Sequence, residues 1–310
     1  MSGPRTFTAA AVFALLPENI FYSNIPGIEA PAMFTALAGL LLILAARHGK
    51  AAARTALCAC GGAALAFSAC IRPNAWVVLA AAAVWLLREK EGEQPVRQKV
   101  LRLAALLAGA ALILCGHGAL KNSLFEEQKP VSGLGWSLYE GLDLESGGKW
   151  TEEKSKRCIE VISEYGPEEA DAIFRTEALE RFRGYSFPAK LLMVLRKGGS
   201  LWYESRYSIF SLEGTEHWND WRQAADFCWA VCMILFIRSL LGRCNKPLGT
   251  AGKNAAGLLL AVILVTTAWH MAGTSIGRYH YMLIPFVLLL AAMLLPGKKE
   301  QSVPERSSDE

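Results

Sequence analysis

The chain has 310 residues, 53% of them hydrophobic, and the 19% that are charged stand in clusters instead of being spread along it. With a mean hydropathy of +0.26, that clustering excludes an ordinary soluble domain and points to a protein that lives in lipid. The net charge of +4 sits in short loops, which is a membrane-orientation signal and not a nucleic-acid surface, and no nucleic-acid motif is present.

The first apolar run, Thr6 to Leu16, has the length of a signal-peptide core, but Pro17-Glu18-Asn19-Ile20 follows where a small-residue cleavage site would stand. We read it as the remaining half of a transmembrane helix. The chain is therefore expected to begin inside a structural element, without its N-terminal part.

Spans are predicted at 30–47, 99–120, 223–242, 254–273 and 279–296, each near the ~20 apolar residues that cross a hydrocarbon layer about 30 Å thick. The region 54–87 is a continuous stretch of Ala, Leu, Val and Gly broken by Arg72-Pro73-Asn74. It reads as two short helices joined by a tight turn. At about 1.5 Å per residue each half reaches only about 25 Å, which sets the turn near the far interface.

Basic loops occur at Arg47-His48-Gly49-Lys50 with Arg54, from Arg88 to Lys99, from Arg243 to Lys253, and at Lys298-Lys299. All four can be cytoplasmic at once. Residues 18–29, the Arg72 turn, 121–222 and 274–278 then share the outer face. The predicted protein is an all-α polytopic protein of the cell membrane with a cytoplasmic C-terminus. Its parts are transmembrane helices in 1–120, an extracytoplasmic, mainly helical loop domain in 121–222, further transmembrane helices in 223–297, and a disordered tail in 298–310.

Within the loop domain, Thr151 is placed to cap a helix with Glu152 and Glu153 in its first turn, ended by Gly166-Pro167. A second helix starts at Pro167 and carries Ala170, Ile173, Phe174, Ala178 and Phe182 at helical spacing. The aromatic set Trp202, Tyr203, Tyr207, Trp218, Trp221 and Trp229 reads as an interfacial belt. The segment Gly141 to Trp150 combines flexible backbone, carboxylates and an indole, a composition suited to a polar ligand. Of the eight cysteines, most fall in apolar runs and none suggests a disulfide framework. Cys228 and Cys232 share a helical face, but no His or carboxylate completes a metal set, so no metal is expected.

The two Arg motifs, Ile71-Arg72-Pro73-Asn74 and Gly277-Arg278-Tyr279-His280, are the candidate binding features. Guanidinium groups are costly inside a bilayer and persist there for a partner or a function. Both motifs open a helix at the outer surface, where free backbone N–H groups and a partial positive charge combine with the guanidinium to make an anion site. Arg72, Arg278 and His280 are the predicted phosphate contacts, and the anion natural to that depth is a lipid phosphate. The plainer reading is that each Arg snorkels to the headgroups. His270 reads as a packed histidine, and Glu18 and Glu29 as helix-start carboxylates, with service as a base or contact with a sugar as the functional alternative. No P-loop, His-Glu-x-x-His or Gly-x-Ser-x-Gly is present.

These residues resemble a family. Pro17-Glu18 followed by Glu29, the Gly-rich helix leading to Arg72-Pro73-Asn74, Arg278-Tyr279-His280-Tyr281 with Pro285, and the Gly141 to Trp150 segment before Thr151-Glu152-Glu153 are similar to multi-pass bacterial glycosyltransferases of the GT-C class. The match is to the protein O-mannosyltransferase-like and aminoarabinose-transferase-like group, glycosyltransferase family 39. The resemblance implies a GT-C-like helix bundle that transfers a sugar from a polyprenyl-phosphate donor to an extracytoplasmic acceptor, with inversion. Arg72 and Arg278 would neutralise the departing phosphate. Glu29, Asp143 and Tyr279 are the residues placed to contact substrate. The family's catalytic Asp lies in a first outer loop that has no counterpart here, so the catalytic residue is unassigned. The expectation is a split or truncated enzyme, with a partner chain as one source of the missing helices. A lipid-binding or transport-related subunit is the alternative, working on lipid-linked sugar or membrane lipids without chemistry.

Overall fold

A computed structural model describes residues 3–23, 27–47, 50–88, 95–124, 133–203, 214–241, 250–273 and 277–294. Among them there is no strand. The helices are α1 (Gly3–Leu15), α2 (Pro17–Ser23), α3 (Glu29–Ala45), α4 (Ala51–Ile71), α5 (Trp76–Arg88), α6 (Val96–Leu124), α7 (Leu134–Gly141), α8 (Glu152–Tyr165), α9 (Pro167–Gly184), α10 (Phe187–Tyr203), α11 (Trp218–Leu241), α12 (Thr250–Ala272) and α13 (Ile284–Leu294). Short 3₁₀ turns precede α5 at Pro73–Ala75 and α13 at Gly277–Leu283.

By length and composition α4, α6, α11 and the Gly252–Ala272 part of α12 are able to cross a membrane. Shorter apolar helices run over Glu29–Ala45, Pro73–Arg88 and Tyr279–Leu294. The length and apolarity of these helices suit a membrane helical bundle. The break expected inside 54–87 falls at Arg72, whose extended backbone (φ −139°, ψ 112°) is what the following proline imposes. Pro73 lacks an N–H and so opens the next helix without losing a bond. The basic segments 48–49, 89–94 and 242–249, and the tail 295–310, lie outside the described residues.

Helices α3, α4 and α6 touch almost backbone to backbone. A Cβ added to Gly62 would lie 1.9 Å from the Leu106 carbonyl oxygen, and one on Gly109 would lie 1.9 Å from that of Ala59. Small residues at crossings are how helices approach in lipid, where the hydrophobic effect between them is weak. At the Arg72 end, Ser68 Oγ donates to Ala32 O at 2.7 Å and ties α4 to α3. At the opposite end, Trp85 Nε1 donates to Asn254 O at 3.0 Å and joins α5 to α12. Helix α13 is buried along nearly its whole length, packed among α1, α11 and α12.

The segment 133–203 has its own small core of Tyr139, Leu142, Ala170, Phe174, Ala178 and Met193. Thr151 Oγ1 accepts from Lys154 N at the start of α8, and Gly166 (φ 79°) turns the chain into Pro167 and α9. Helix α7 lies so close to α9 that Gly135 has no room for a Cβ beside Asp171 O, while its N–H bonds Asp171 Oδ1 at 2.8 Å.

Helix α10 fastens this segment to the bundle. Lys197 is fully buried, and its Nζ donates to Gly141 O at 2.9 Å, Met271 O at 2.7 Å and Gly273 O at 2.6 Å. All three ammonium protons are used on carbonyls at the C-terminal ends of α7 and α12, where the helix dipoles favour a cation.

Candidate functional site

Arg72 and Glu29 form an ion pair in which both side chains are buried. The first is the residue after α4 and the second stands in the first turn of α3, so the α3 to α4 packing that Ser68 and Ala32 fix also brings the charges together. The Arg72 guanidinium lies 5.3 Å from the centre of the Tyr279 ring, a cation–π arrangement. Tyr279 in turn stacks on His270 at 4.4 Å and 14°. A charged pair, an aromatic ring and an imidazole from four different elements thus converge at one end of the bundle.

Two neighbouring spaces lie there. A narrow crevice is lined by Arg72, Asn74, Thr266, His270 and Tyr279. A wider cleft of about 310 Å³ shares Asn74, His270 and Tyr279 and continues between Pro73, Trp269, Gly273 and the start of α7 at Gly133 and Leu134. The wider cleft is mainly apolar with a polar inner wall, the character of a site for an amphiphile. A buried ion pair is costly to desolvate and is seldom the most stable solution.

His280 has different surroundings from those expected of a phosphate contact. In a 3₁₀ turn successive side chains diverge by about 120°, so Tyr279 and His280 face different neighbours. His280 is fully buried, with Nδ1 2.7 Å from Leu201 O and Nε2 3.2 Å from Glu18 Oε2, and its ring stacks on Trp229 at 4.8 Å. A carbonyl only accepts, so Nδ1 carries a hydrogen, and the single proton between Nε2 and Glu18 completes the pair. Glu18, read as a helix-start carboxylate, is buried in α2, and its Oε1 has no hydrogen-bond partner among the described residues. Next to it, Tyr281 donates its hydroxyl to Asn19 Oδ1 at 2.7 Å. These contacts latch α2 onto the turn before α13. The Arg278 side chain lies outside the described residues.

Asp143 is nearly buried and organises its own loop. It pairs with Lys154 Nζ at 2.6 Å and accepts from Glu145 N and Ser146 N at 3.3 Å each, with Arg181 Nη1 at 3.8 Å. Burial pushes its carboxyl up, but the bonds to Lys154 and Ser146 outweigh that and hold it below the usual carboxylate range. Asp143 lines an open cleft of about 990 Å³ with Tyr139, Lys154, Arg157, Arg181 and Tyr185. That cleft belongs to the loop domain, and none of its lining residues lines the Arg72 crevice or the cleft beside it.

The structure thus joins Arg72, Glu29 and Tyr279 with His270 in one place, gives His280 to Glu18, and sets Asp143 apart. Lys197 went unnoticed in the sequence. Its signal was a lysine at helical spacing from Met193 and Leu201, on the face that those apolar residues mark as buried. The expected aromatic belt divides: Trp229 is buried and donates Nε1–H to Trp202 O at 2.6 Å, whereas Tyr203 and Trp221 are exposed, and Tyr207 lies outside the described residues.

Comparisons with protein-family models, with curated proteins and with solved structures find no match to this chain. Its function has to be read from its own residues.

Proposed function

We propose that the chain is a membrane glycosyltransferase, or a part of one, with a GT-C-like bundle in the cell membrane, that acts on a polyprenyl-phosphate-linked sugar at the outer face with its C-terminus in the cytoplasm. The observation that carries this reading is Arg72, buried at the end of a membrane bundle with Glu29 and Tyr279 around it and an apolar cleft beside it. The cleft suits a lipid chain, and the guanidinium with the first turn of the α5 region suits its phosphate. Glu29 then acts as the resting counter-ion of Arg72. An arriving phosphate takes over the guanidinium and frees the carboxylate toward the sugar end of the donor. Stabilising charge on the leaving phosphate is the catalytic contribution this geometry is able to make.

A second reading, a lipid-binding subunit without chemistry of its own, is favoured by a separate observation. The buried carboxylates nearest the bundle end, Glu29 and Glu18, are both engaged, with Arg72 and His280. One experiment separates the two. Purified protein in nanodiscs is given undecaprenyl phosphate and then a radiolabelled undecaprenyl-phosphate sugar, with wild type compared to Arg72→Gln. Binding that Arg72→Gln abolishes, together with release of labelled sugar by wild type, supports the transferase. Binding without release supports the subunit. Equal binding by wild type and by a folded Arg72→Gln variant overturns both.

A further inference from the structure

Helix α10 is amphipathic in an unusual sense, because its outward face is the apolar one. Met193, Lys197, Ser200 and Leu201 form its buried side. Turned away from them, Phe187 is 78% exposed, Leu195 64% and Leu191 50%, with Leu192 and Val194 also open. No acidic residue occurs anywhere in α10. The cations flanking the apolar face point away from it: Lys190 Nζ covers the Phe182 ring at 4.8 Å, and Arg196 Nη1 donates to Leu144 O at 3.1 Å. A helix facing water would carry its polar residues outward.

The level at which this face lies is set by its attachments. Lys197 holds the C-terminal carbonyls Met271 and Gly273 of α12, Leu201 O meets His280, and Trp202 stacks on Trp229 of α11 at 6.4 Å and 6°. Helices α11 and α12 are two of the membrane-crossing candidates. Through Lys197 the C-terminal part of α10 is pinned where the α12 span ends, and through Trp202 it meets α11 at Trp229, eleven residues beyond the first residue of that helix. The end of a span is the boundary between headgroups and acyl chains. An exposed apolar face on a helix fastened to the end of a membrane-span candidate, with exposed aromatic residues at its two ends in Phe187 and Tyr203, matches a helix lying in the interface plane.

We propose that α10 is an interfacial helix whose Phe187, Leu191, Leu192, Val194 and Leu195 face rests in the lipid headgroup and acyl boundary and docks the 133–203 segment onto the bilayer surface. The occupant of this face is lipid. The proposal depends on insertion of the bundle in a bilayer and not on sugar transfer, so an inactive protein leaves it standing.

The test places a photoreactive p-benzoyl-phenylalanine separately at position 191, at position 195 and, as a water-facing control, at the exposed position 160 of α8. Each full-length protein is irradiated in nanodiscs of phosphatidylethanolamine and phosphatidylglycerol and read by intact mass. With a face buried about 5–10 Å into the boundary, positions 191 and 195 are expected to give about tenfold more lipid adduct than position 160. Lipid adduct at 191 and 195 no greater than at 160 overturns the proposal. Chain-to-chain adducts at 191 and 195 also overturn it, because a second copy then covers the face. Labelling two positions independently keeps the test decisive if one variant fails to fold.

Discussion

Arg72 and Glu29 neutralise each other across the α3 to α4 junction, each buried and each held by a helix end. Removing one partner takes the buried counter-ion from the other, whereas removing both does not. Arg72→Met is expected to cost about 3–5 kcal/mol, and Arg72→Met combined with Glu29→Gln to recover most of it. Denaturant titration in detergent of the two single variants and the double variant completes the cycle; additive losses would show that the pair does not couple.

Glu29→Gln on its own leaves Arg72 its charge and removes the competing carboxylate. If Arg72 is the anion contact, undecaprenyl phosphate should bind this variant more tightly than wild type, by about tenfold or ~1.4 kcal/mol. Native mass spectrometry across a lipid titration measures this. Weaker binding would place Glu29 among the ligand contacts and not among its competitors.

Lys197 joins α7, α10 and α12 through three carbonyls. Lys197→Met orphans those acceptors and is expected to destabilise the chain by about 3 kcal/mol. Burial lowers the Lys197 ammonium from its ordinary 10.5 to about 8. Between these values the unfolded chain holds a proton that the native chain has released, so this group's contribution to stability rises with pH through that window and is lost as pH falls through about 8. Thermal melts of wild type and Lys197→Met from neutral to alkaline pH should show the gap between them widening above about 8.

Asp143 has the opposite chemistry and the same direction of pH dependence. Its carboxyl is held low by Lys154 and Ser146 against the effect of burial, so the stability it lends is present above the ordinary carboxylate range and disappears as pH falls through its lowered native value. Asp143→Asn should lose about 1–3 kcal/mol at neutral pH and little in acid. Hydrogen exchange over 141–157 as a function of pH follows this locally; equal protection in both proteins at neutral pH would refute it.

Gly62 and Gly116 give a paired test of the backbone contacts. A Cβ at Gly62 meets Leu106 O at 1.9 Å, whereas one at Gly116 meets nothing within 4 Å. Gly62→Ala is expected to force α4 and α6 apart at a cost of about 1–3 kcal/mol, and Gly116→Ala to be neutral or stabilising by up to about 1 kcal/mol. Melting temperatures in nanodiscs of fixed composition compare the two.

Much of the architecture follows from short-range chemistry. Runs of apolar residues near 20 long, the Arg72-Pro73 break, the Thr151 cap and the Gly166-Pro167 joint are each decided by length, by a missing N–H or by a side chain bonding its own backbone, so each is visible within a few residues of sequence. Helices α7 and α10 lack such marks. The first is short and glycine-bearing, and the second reverses the usual rule by keeping a lysine inside and leucines outside.

The convergence at the site depends on contacts that no local pattern records. Glu29 and Arg72 are 43 positions apart, and only the crossing of α3 and α4 on small residues makes them partners. His280 and Tyr279 are adjacent in the chain, yet a 3₁₀ turn sends one to Glu18 and the other to Arg72. The sequence by itself determined which segments are long and apolar enough to cross a membrane, because that depends on summed transfer free energy along one helix. Tertiary structure alone decided which charges meet and that α13 is buried among α1, α11 and α12, because those depend on which helices the packing brings together.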